Sequence, residues 1–424
     1  MKLSKRVVLL CLIAVLAMSM VFAGGDKEKG KIRIVTTSWR TEDVERMNRI
    51  NALYMEKHPN VIIDFQPTAD EEYDANTTAA LETGIGADII YLRSYDEGLP
   101  YYEAGHLVDL TNIIPNLEKF PRAAVGAWSK DGVTYGLPSA GVTHGVYYNK
   151  AIFKKHGLTP PKTWAEFIKL NDTLLAKGEV PIAQGALDDW TLYEVAFSGL
   201  GANFYGGEAA RQALLAGKAK LTDPNFIKAF EAVYSLKKYL PRGYEALDYS
   251  AMLQMFASGQ AAMFIGGSWE ISTFEDMGAD PANVGWFAPP VEKVGDRLQY
   301  CFHVDIGVGV NKNSKHLDEA IEYLKWVAGA EYAQALMNEL PGFFSYTPAD
   351  VKINDPLAAE MFKVIADSEP TVRTVWEKLS AQAPSGNELM GIALPGMMVD
   401  KYTPKEAAAF VQSQLETWYP PFRK

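Results

Sequence analysis

Apolar residues between positions 32 and 92 alternate between the spacing of strands and the spacing of helices. Residues 32–36 alternate at every second position, whereas residues 44–54 carry apolar side chains at helical spacing before Pro59. Residues 61–65 and 87–92 are short, nearly continuous apolar runs, which are typical of strands covered on both faces. Strands that alternate with helices in this way predict an α/β fold with a largely parallel sheet.

A similar pattern returns in the second part of the chain. Residues 145–149 and 305–310 are predicted strands, and residues 317–327 form a predicted amphipathic helix. Two Thr-x-x-Glu sequences, at Thr163 and Thr403, predict helix starts with capping boxes. The apolar residues expected on the buried faces of these two helices are Trp164, Phe167, Ile168 and Leu175 in the first, and Ala407, Phe410, Val411, Leu415 and Trp418 in the second.

The length of the chain indicates more than one structural unit. A chain of 424 residues exceeds what one small core accommodates, so we expect two α/β lobes. We predict a first lobe from residues 31–141 and about 304–345, and a second lobe from about 142–303 and about 346–424. Several crossings between lobes make a hinge, and the ligand cleft then opens between them, beyond the carboxyl ends of the strands.

The first 23 residues predict export. Three basic residues within the first six precede an apolar run that ends at the small Ala23, as in a secretory signal peptide. The run of roughly 16 residues is shorter than the about 20 that span a bilayer. Cys11 lies inside this run instead of at its end, which argues against a lipid anchor. We expect cleavage near Ala23, a tether over residues 24–30, and a protein in the periplasm or on the outer face of the cytoplasmic membrane.

Charge and cysteine content exclude several classes of partner and chemistry. The net charge of −11 becomes −14 without the three basic residues of the signal, and so acidic a protein repels nucleic acid and anionic lipid. Only Cys301 follows the signal, so no internal disulfide is expected. The chain lacks the P-loop, GxSxG, HExxH, CxxC and EF-hand sequences, and its six histidines show no metal-ligand spacing. We therefore predict no catalytic residue, cofactor or metal, and we expect a monomer.

Several short sequences follow one another in a characteristic order. They are MEKHPNV at 55–61, GADII at 86–90, AGHLVDL at 104–110, GVTYGLP at 132–138, YYNK at 147–150 with PKTW at 161–164, and FASGQAAMFIGGSW at 256–269. Together they resemble the bacterial extracellular solute-binding proteins of family 1, the maltodextrin-binding-like carbohydrate receptors of ABC importers. Ala87 departs from the family pattern, which usually has proline there.

The resemblance implies both a fold and a function. It implies a periplasmic-binding-protein-like fold, in which two lobes close on a carbohydrate, and transient docking on a membrane permease. The sites of this family stack aromatic rings on sugar faces and pair sugar hydroxyls with charged side chains. This agrees with the chemistry of a sugar, whose C–H face is apolar and whose buried hydroxyls need partners.

Three tryptophans are candidates for stacking on the ligand. Trp269 ends the turn of residues 266–269, where the family carries a stacking tryptophan, and Trp190 lies in an acidic loop where the family presents an aromatic residue. Trp39 follows the first predicted strand and therefore lies at the cleft edge. Trp376 is interpreted instead as a packed aromatic residue.

The polar candidates at strand ends are Arg40, after the first strand, and Arg93, Tyr95 and Asp96, after the third. The resemblance implies sugar-binding polar residues at the second of these positions. The charged residues of the maltodextrin receptor do not recur one for one, so the sugar need not be maltose. Arg40 and Arg93 would also allow an acidic sugar, because arginine binds a carboxylate in bidentate fashion.

The other polar candidates lie near the predicted crossovers and before the C-terminal helices. They are His144, at the first crossover, Asp305, at the second, and Asn387, in a small polar loop.

Two alternatives remain open from the sequence. A secreted glycoside-active enzyme would need two carboxylates that face each other across the cleft, and glycosidases have no short universal motif that would reveal it. A receptor of the same fold for a non-sugar solute, such as a polyamine or a metal complex, would show a ring of acids or histidines without aromatic platforms. The tryptophan-rich loops argue against this second alternative.

Overall fold

The computed structural model describes residues 30–423. The predicted signal peptide, and the predicted tether up to residue 29, lie outside the described residues. No helix among the described residues combines the length and the apolar character needed to cross a membrane.

The described part of the chain forms twelve strands. They are β1 Ile32–Thr37, β2 Val61–Phe65, β3 Ile89–Leu92, β4 Ser129–Lys130, β5 Val133–Thr134, β6 Leu137–Asn149, β7 Val180–Ile182, β8 Ala261–Gly267, β9 Val284–Phe287, β10 Gln299–Val310, β11 Phe344–Ser345 and β12 Glu369–Thr371.

Seventeen α-helices connect and cover these strands in the described residues. They are α1 Val44–Lys57, α2 Asp70–Glu82, α3 Leu99–Glu103, α4 Arg122–Gly126, α5 Lys150–His156, α6 Trp164–Ala176, α7 Ser198–Leu200, α8 Ala202–Tyr205, α9 Gly207–Leu215, α10 Pro224–Ser235, α11 Tyr249–Ala257, α12 Glu270–Asp276, α13 Leu317–Val327, α14 Ala330–Glu339, α15 Pro356–Asp367, α16 Gly386–Met398 and α17 Pro404–Leu415.

Ten strands form one sheet, along which the order is β2-β1-β3-β10-β6-β8-β7, with β9, β11 and β12 paired beside this path. β1 is parallel to β2 and β3, and β7 is parallel to β8. The long strands β6 and β10 are antiparallel to each other in the middle. The sheet is thus parallel near each end, where helices alternate with strands, and antiparallel through its centre.

β6 and β10 connect the two ends of the sheet. Residues 307–310 of β10 pair with β3, whereas residues 144–149 of β6 pair with β8 and β9. Between these regions the register of β6 against β10 shifts on both sides of Ile306. Such an irregularity bends a strand and redirects its side chains, and the neighbouring Asp305 lines the cleft described below.

The predicted helix starts are confirmed at Thr163 and Thr403, where both halves of a capping box form with Glu166 and Glu406. The prediction that Leu175 is buried was wrong, since its side chain is 41% exposed. Leu174 is buried in its place, because it lies two turns after Phe167 on the same helix face, and adjacent residues of a helix point about 100° apart.

Candidate functional site

A cleft of about 860 Å³ opens where the carboxyl ends of β1 and β3 meet the second group of strands. Its lining joins the loops after β1 and β3 to residues 187–194, the start of α11 and the end of β8. Asp305 of β10 contributes from the middle of the sheet. The volume lies within the range of small-molecule sites and accommodates a ligand of more than one sugar ring.

The first wall of the cleft carries Trp39 and Arg93. The Arg93 guanidinium lies 4.5 Å over the Trp39 ring, an arrangement in which the cation is attracted to the face of the indole. The edge of Trp39 is held by Tyr73 and Tyr91, whose ring centroids lie 5.5 and 6.5 Å away. Trp39 is half-buried, so part of this oriented ring faces the cleft.

The second wall carries three aromatic residues joined by contacts and a hydrogen bond. Nε1 of Trp269 donates to the Tyr249 hydroxyl at 3.0 Å, and that hydroxyl donates to Oε1 of Glu270 at 3.1 Å. The Trp190 ring lies 4.8 Å from the Tyr249 ring and 6.5 Å from the Trp269 ring. The buried carboxyl group of Glu270 therefore orients Tyr249, and Tyr249 orients the tryptophan beside it.

The orientation of the Trp269 ring requires a glycine at position 267. A Cβ at Gly267 would lie 2.1 Å from Cζ3 of Trp269, closer than real carbon atoms approach. The indole therefore folds back over a backbone that only glycine leaves bare.

A third group, Arg373 and Trp376, lines the cleft together with Glu194 and Asp305. Nη1 of Arg373 lies 2.6 Å from Oε2 of Glu194, and Nη2 lies 3.7 Å from Oδ1 of Asp305. The guanidinium carbon is 4.0 Å above the Trp376 ring. Glu194 belongs to the π-helical segment Thr191–Phe197, a type of distortion that is frequent at functional sites.

Each arginine of the cleft lining already has carboxylate partners. Nε and Nη2 of Arg40 donate to both oxygens of Asp43 at 2.7 and 3.1 Å, and Arg40 also pairs with Glu42 at 3.0 Å. The Arg93 partners are Asp70 at 2.6 Å and Asp74 at 3.1 Å. The guanidinium groups are therefore neutralised by the protein itself and offer little to an acidic ligand.

Carboxylates outnumber the arginines in the lining by nine to three. The carboxylates are Glu42, Asp70, Asp74, Glu97, Asp188, Asp189, Glu194, Asp248 and Asp305, and the arginines are Arg40, Arg93 and Arg373. The field in the cleft is negative, and it opposes the acidic sugar that Arg40 and Arg93 allowed when only the sequence was considered.

Two buried carboxyl groups beside the aromatic residues have raised pKa values. Burial raises the pKa of Glu270 to about 8, against the lowering effect of its hydrogen bond with Tyr249. Burial likewise raises the pKa of Glu194 to about 8, although the charge of Arg373 lowers it. When protonated, either group can donate as well as accept a hydrogen bond.

Four of the ten sequence candidates do not line the cleft in this structure. Tyr95 has a positive φ of 58° and packs edge-on against Trp376, with ring centroids 6.1 Å apart. Asp96 lies beside it, and burial together with the charge of Glu97 raises its pKa to about 7. Asn387 donates from Nδ2 to Oε1 of Glu97 at 3.2 Å, so it contacts a lining residue without lining the cleft itself.

The fourth, His144, is fully buried and packs edge-on against Trp269 at 5.6 Å. The other six candidates, Trp39, Arg40, Arg93, Trp190, Trp269 and Asp305, all line the cleft.

The fold brings His144 next to two potential metal ligands, Cys301 and His303, from which it is distant in sequence. Ligand atoms of His144, Cys301 and His303 lie within 4.8 Å of one another. Burial raises the pKa of the Cys301 thiol to about 12 and lowers the pKa of His303 to about 4, and the charge of Arg373 adds to the second effect. A protonated thiol and a neighbouring guanidinium both disfavour a bound cation, so the absence of a metal stays our prediction.

Sequence reasoning missed Tyr249, Arg373, Glu194 and Tyr193, which line the cleft. No local motif distinguishes them. Tyr249 lies at a helix start, Tyr193 and Glu194 lie in a π-helical segment, and Arg373 lies in the loop after β12. Trp376 was interpreted as a packed aromatic residue; it is 4% exposed and also lines the cleft.

The fold and this cleft define a solute-binding receptor of the periplasmic-binding-protein type, with two α/β lobes joined by a hinge of several crossings. Residues 37–334 match the family described as bacterial extracellular solute-binding protein. The chain belongs to this family, and the resemblance found in the sequence is confirmed.

Three known proteins illustrate the similarity. An uncharacterized ABC transporter extracellular-binding protein of Pyrococcus horikoshii is 26% identical over 68% of this chain and 67% of its own length. The maltodextrin-binding protein MdxE of Bacillus subtilis is 26% identical over 70% of this chain and 73% of its own. A solved structure titled chitin oligosaccharide binding protein is 24% identical, superposes with a TM-score of 0.75, and covers 92% of this chain and 99% of that one.

Proposed function

We propose that the protein is the carbohydrate receptor of an ABC importer, which captures a sugar or oligosaccharide between its lobes and delivers it to a membrane permease. The observation that carries the proposal is the wall formed by Trp190, Tyr249 and Trp269, whose rings are oriented by mutual contacts and by the buried Glu270. Sugar C–H faces stack on such rings. The names of relatives, among them a maltodextrin-binding protein, support the same ligand class.

The charges of the cleft restrict the sugar to the neutral or basic kind. The lining carboxylates are suited to accept hydrogen bonds from sugar hydroxyls, whose desolvation requires partners. The three arginines are matched by Asp43, Glu42, Asp70, Asp74, Glu194 and Asp305.

The pairing of the two long central strands supports the lobes proposed from the sequence. One end of β10 pairs with β3, one end of β6 pairs with β8 and β9, and β11 pairs beside the middle of β6. We propose that bending at these strands, near residues 142, 304 and 345, opens and closes the cleft. A ligand that contacts both walls then favours the closed state by its extra contacts.

The proposed receptor is monomeric, binds without turnover and docks transiently on its permease. We further propose that it is exported, with the signal cleaved near Ala23, so that it encounters its ligand outside the cytoplasmic membrane. The alternative of a glycoside-active enzyme has less support, because the chain belongs to a family of binding proteins.

Thermal unfolding against a panel of neutral, acidic and amino sugars, with non-sugar amines and metal ions tested alongside, tests the proposal. A ligand that binds only the folded state, at 100 times its dissociation constant, stabilises it by about 2.7 kcal/mol. We expect a clear shift with one class of sugar and recovery of that sugar intact. Stabilisation only by non-sugar amines or metal ions would refute the carbohydrate assignment, and breakdown of the sugar would indicate an enzyme.

A further inference from the structure

Three carboxylates of the cleft lack a cationic partner among the described residues. They are Asp188, Asp189 and Asp248. Asp188 accepts the backbone N–H of Tyr249 at 2.6 Å, and Asp248 accepts that of Ala251 at 2.7 Å. These bonds hold Asp188 and Asp248 at the N-terminus of α11 but place no cationic side chain beside them, in contrast to the six other lining carboxylates, which each pair with an arginine.

The three carboxylates adjoin the aromatic wall. Asp188 and Asp189 immediately precede Trp190, and Asp248 immediately precedes Tyr249, whose ring lies 4.8 Å from that of Trp190. The faces of tryptophan and tyrosine attract a cation. Carboxylates and ring faces that line the same space thus form a surface suited to a positive group.

The environment of Asp189 supports the same conclusion. Burial raises its pKa, and the adjacent charge of Asp188 raises it further. The adjacent carboxylates of Asp188 and Asp189 repel each other, and a sugar hydroxyl does not relieve this repulsion because it has no net charge. An ammonium group removes it by Coulombic attraction.

We infer that the sugar bound in this cleft is an amino sugar, whose protonated amine lies among Asp188, Asp189 and Asp248 beside the Trp190 and Tyr249 rings. The inference rests on the proposed carbohydrate-binding function and specifies its ligand class. The cleft combines aromatic rings, which indicate a sugar, with an excess of carboxylates, which indicates an amine. An amino sugar accounts for both features.

Matched sugar pairs test the inference by calorimetric titration of the purified protein. The pairs are glucose and glucosamine, and galactose and galactosamine, which each differ only at C2, together with chitobiose with and without the acetyl groups on its two amines. At a slightly acidic pH, which keeps the amine protonated, we expect the amine-bearing member of the bound pair to bind about tenfold more tightly or better. Because exposed charges are screened, the ratio should fall as salt is added.

The variants Asp189→Asn and Asp248→Asn should each reduce the ratio between the amine-bearing sugar and its neutral counterpart. The matched control is Asp350→Asn, since Asp350 is exposed and lies outside the cleft lining; it should leave the ratio unchanged. If no amine-bearing sugar binds more tightly than its counterpart, the inference is wrong. Binding of neutral sugars in that experiment would leave the proposed carbohydrate function intact, whereas binding of non-sugar amines alone would overturn both.

Discussion

Trp269 shows how a single residue acquires a function from its surroundings. Its ring is held by the hydroxyl of Tyr249, by the bare backbone of Gly267 and by the edge contact with His144. The sequence indicated Trp269 through the family resemblance of the turn that it ends, but neither Tyr249 nor Glu270 carries a local signal. Their roles arise because α11 and the end of β8, about 20 residues apart in the chain, meet in space.

Replacement of Trp269 by alanine should weaken sugar binding by more than about 1 kcal/mol, which is roughly fivefold in the dissociation constant. The reason is the loss of one oriented aromatic contact. Titration calorimetry with the best ligand of the panel measures the change. Trp418→Ala is the control, because Trp418 donates to the carbonyl of Pro384 away from the cleft. Equal affinities for the wild type and Trp269→Ala would remove Trp269 from the binding site.

Glu270 should make the stability of the protein depend on pH. Its pKa rises from 4.5 to about 8 on folding because the side chain is buried. Between these values the folded state holds a proton that the unfolded state has released, so the free energy of unfolding falls as pH rises, by at most about 1.4 kcal/mol per pH unit for one proton. Glu270→Gln should flatten this dependence in urea unfolding experiments.

Glu118→Gln is the control for Glu270→Gln, since Glu118 is exposed and does not line the cleft. Glu194 contributes a slope of the same sign, so part of the dependence should persist in Glu270→Gln. A slope identical to that of the wild type would show that Glu270 is ionised in the folded protein throughout this range.

At the scale of elements, local sequence predicted helix starts well. Both capping boxes formed as expected, because the hydrogen bonds of a capping box join residues three apart and need no tertiary partner. The buried face of a helix was less predictable. Leu174 and Leu175 are adjacent and equally apolar, and only the packing of α6 against the rest of the lobe shows that Leu174 is the buried one.

Thr403→Ala should lower the free energy of unfolding by about 1 kcal/mol, because it removes the side-chain acceptor of the Glu406 N–H at the start of α17. Urea unfolding measures this change. Ser413→Ala, in the exposed interior of the same helix, is the control and should be neutral or slightly stabilising, since alanine favours helix interiors. Equal losses for both variants would exclude a specific capping effect.

At the scale of the whole molecule, Arg46 bridges the two walls of the cleft. It lies on α1, behind β1, and its Nε and Nη2 pair with both oxygens of Asp276 at the end of α12, at 3.0 and 2.7 Å. Thr41 and Glu42, just before α1, and Thr273, within α12, line the cleft. The ion pair therefore stabilises the arrangement in which the two walls approach each other.

Asp276→Asn should weaken sugar binding about two- to fivefold although Asp276 does not line the cleft, because a partly exposed ion pair that favours the closed state is worth up to about 1 kcal/mol. Calorimetry gives the affinity, and small-angle scattering should show a more open average shape without ligand. Arg49→Met is the control: Arg49 lies on the same helix but pairs with Glu339 of α14. A variant Asp276→Asn with unchanged affinity and shape would exclude this role.

The sequence by itself determined the elements and the α/β class, because periodic patterning and capping act over a few neighbouring residues. Six residues of the cleft lining were predicted from their position after a strand or at a crossover and, for Trp190 and Trp269, from the family resemblance. Only the tertiary structure decided which charges meet. From the sequence alone, Arg40 and Arg93 could bind an acidic ligand, but the folded chain pairs both with carboxylates. Asp188, Asp189 and Asp248 have no cationic partner among residues 30–423. Electrostatic pairing depends on distances between segments far apart in the chain, and those distances exist only once the sheet has formed.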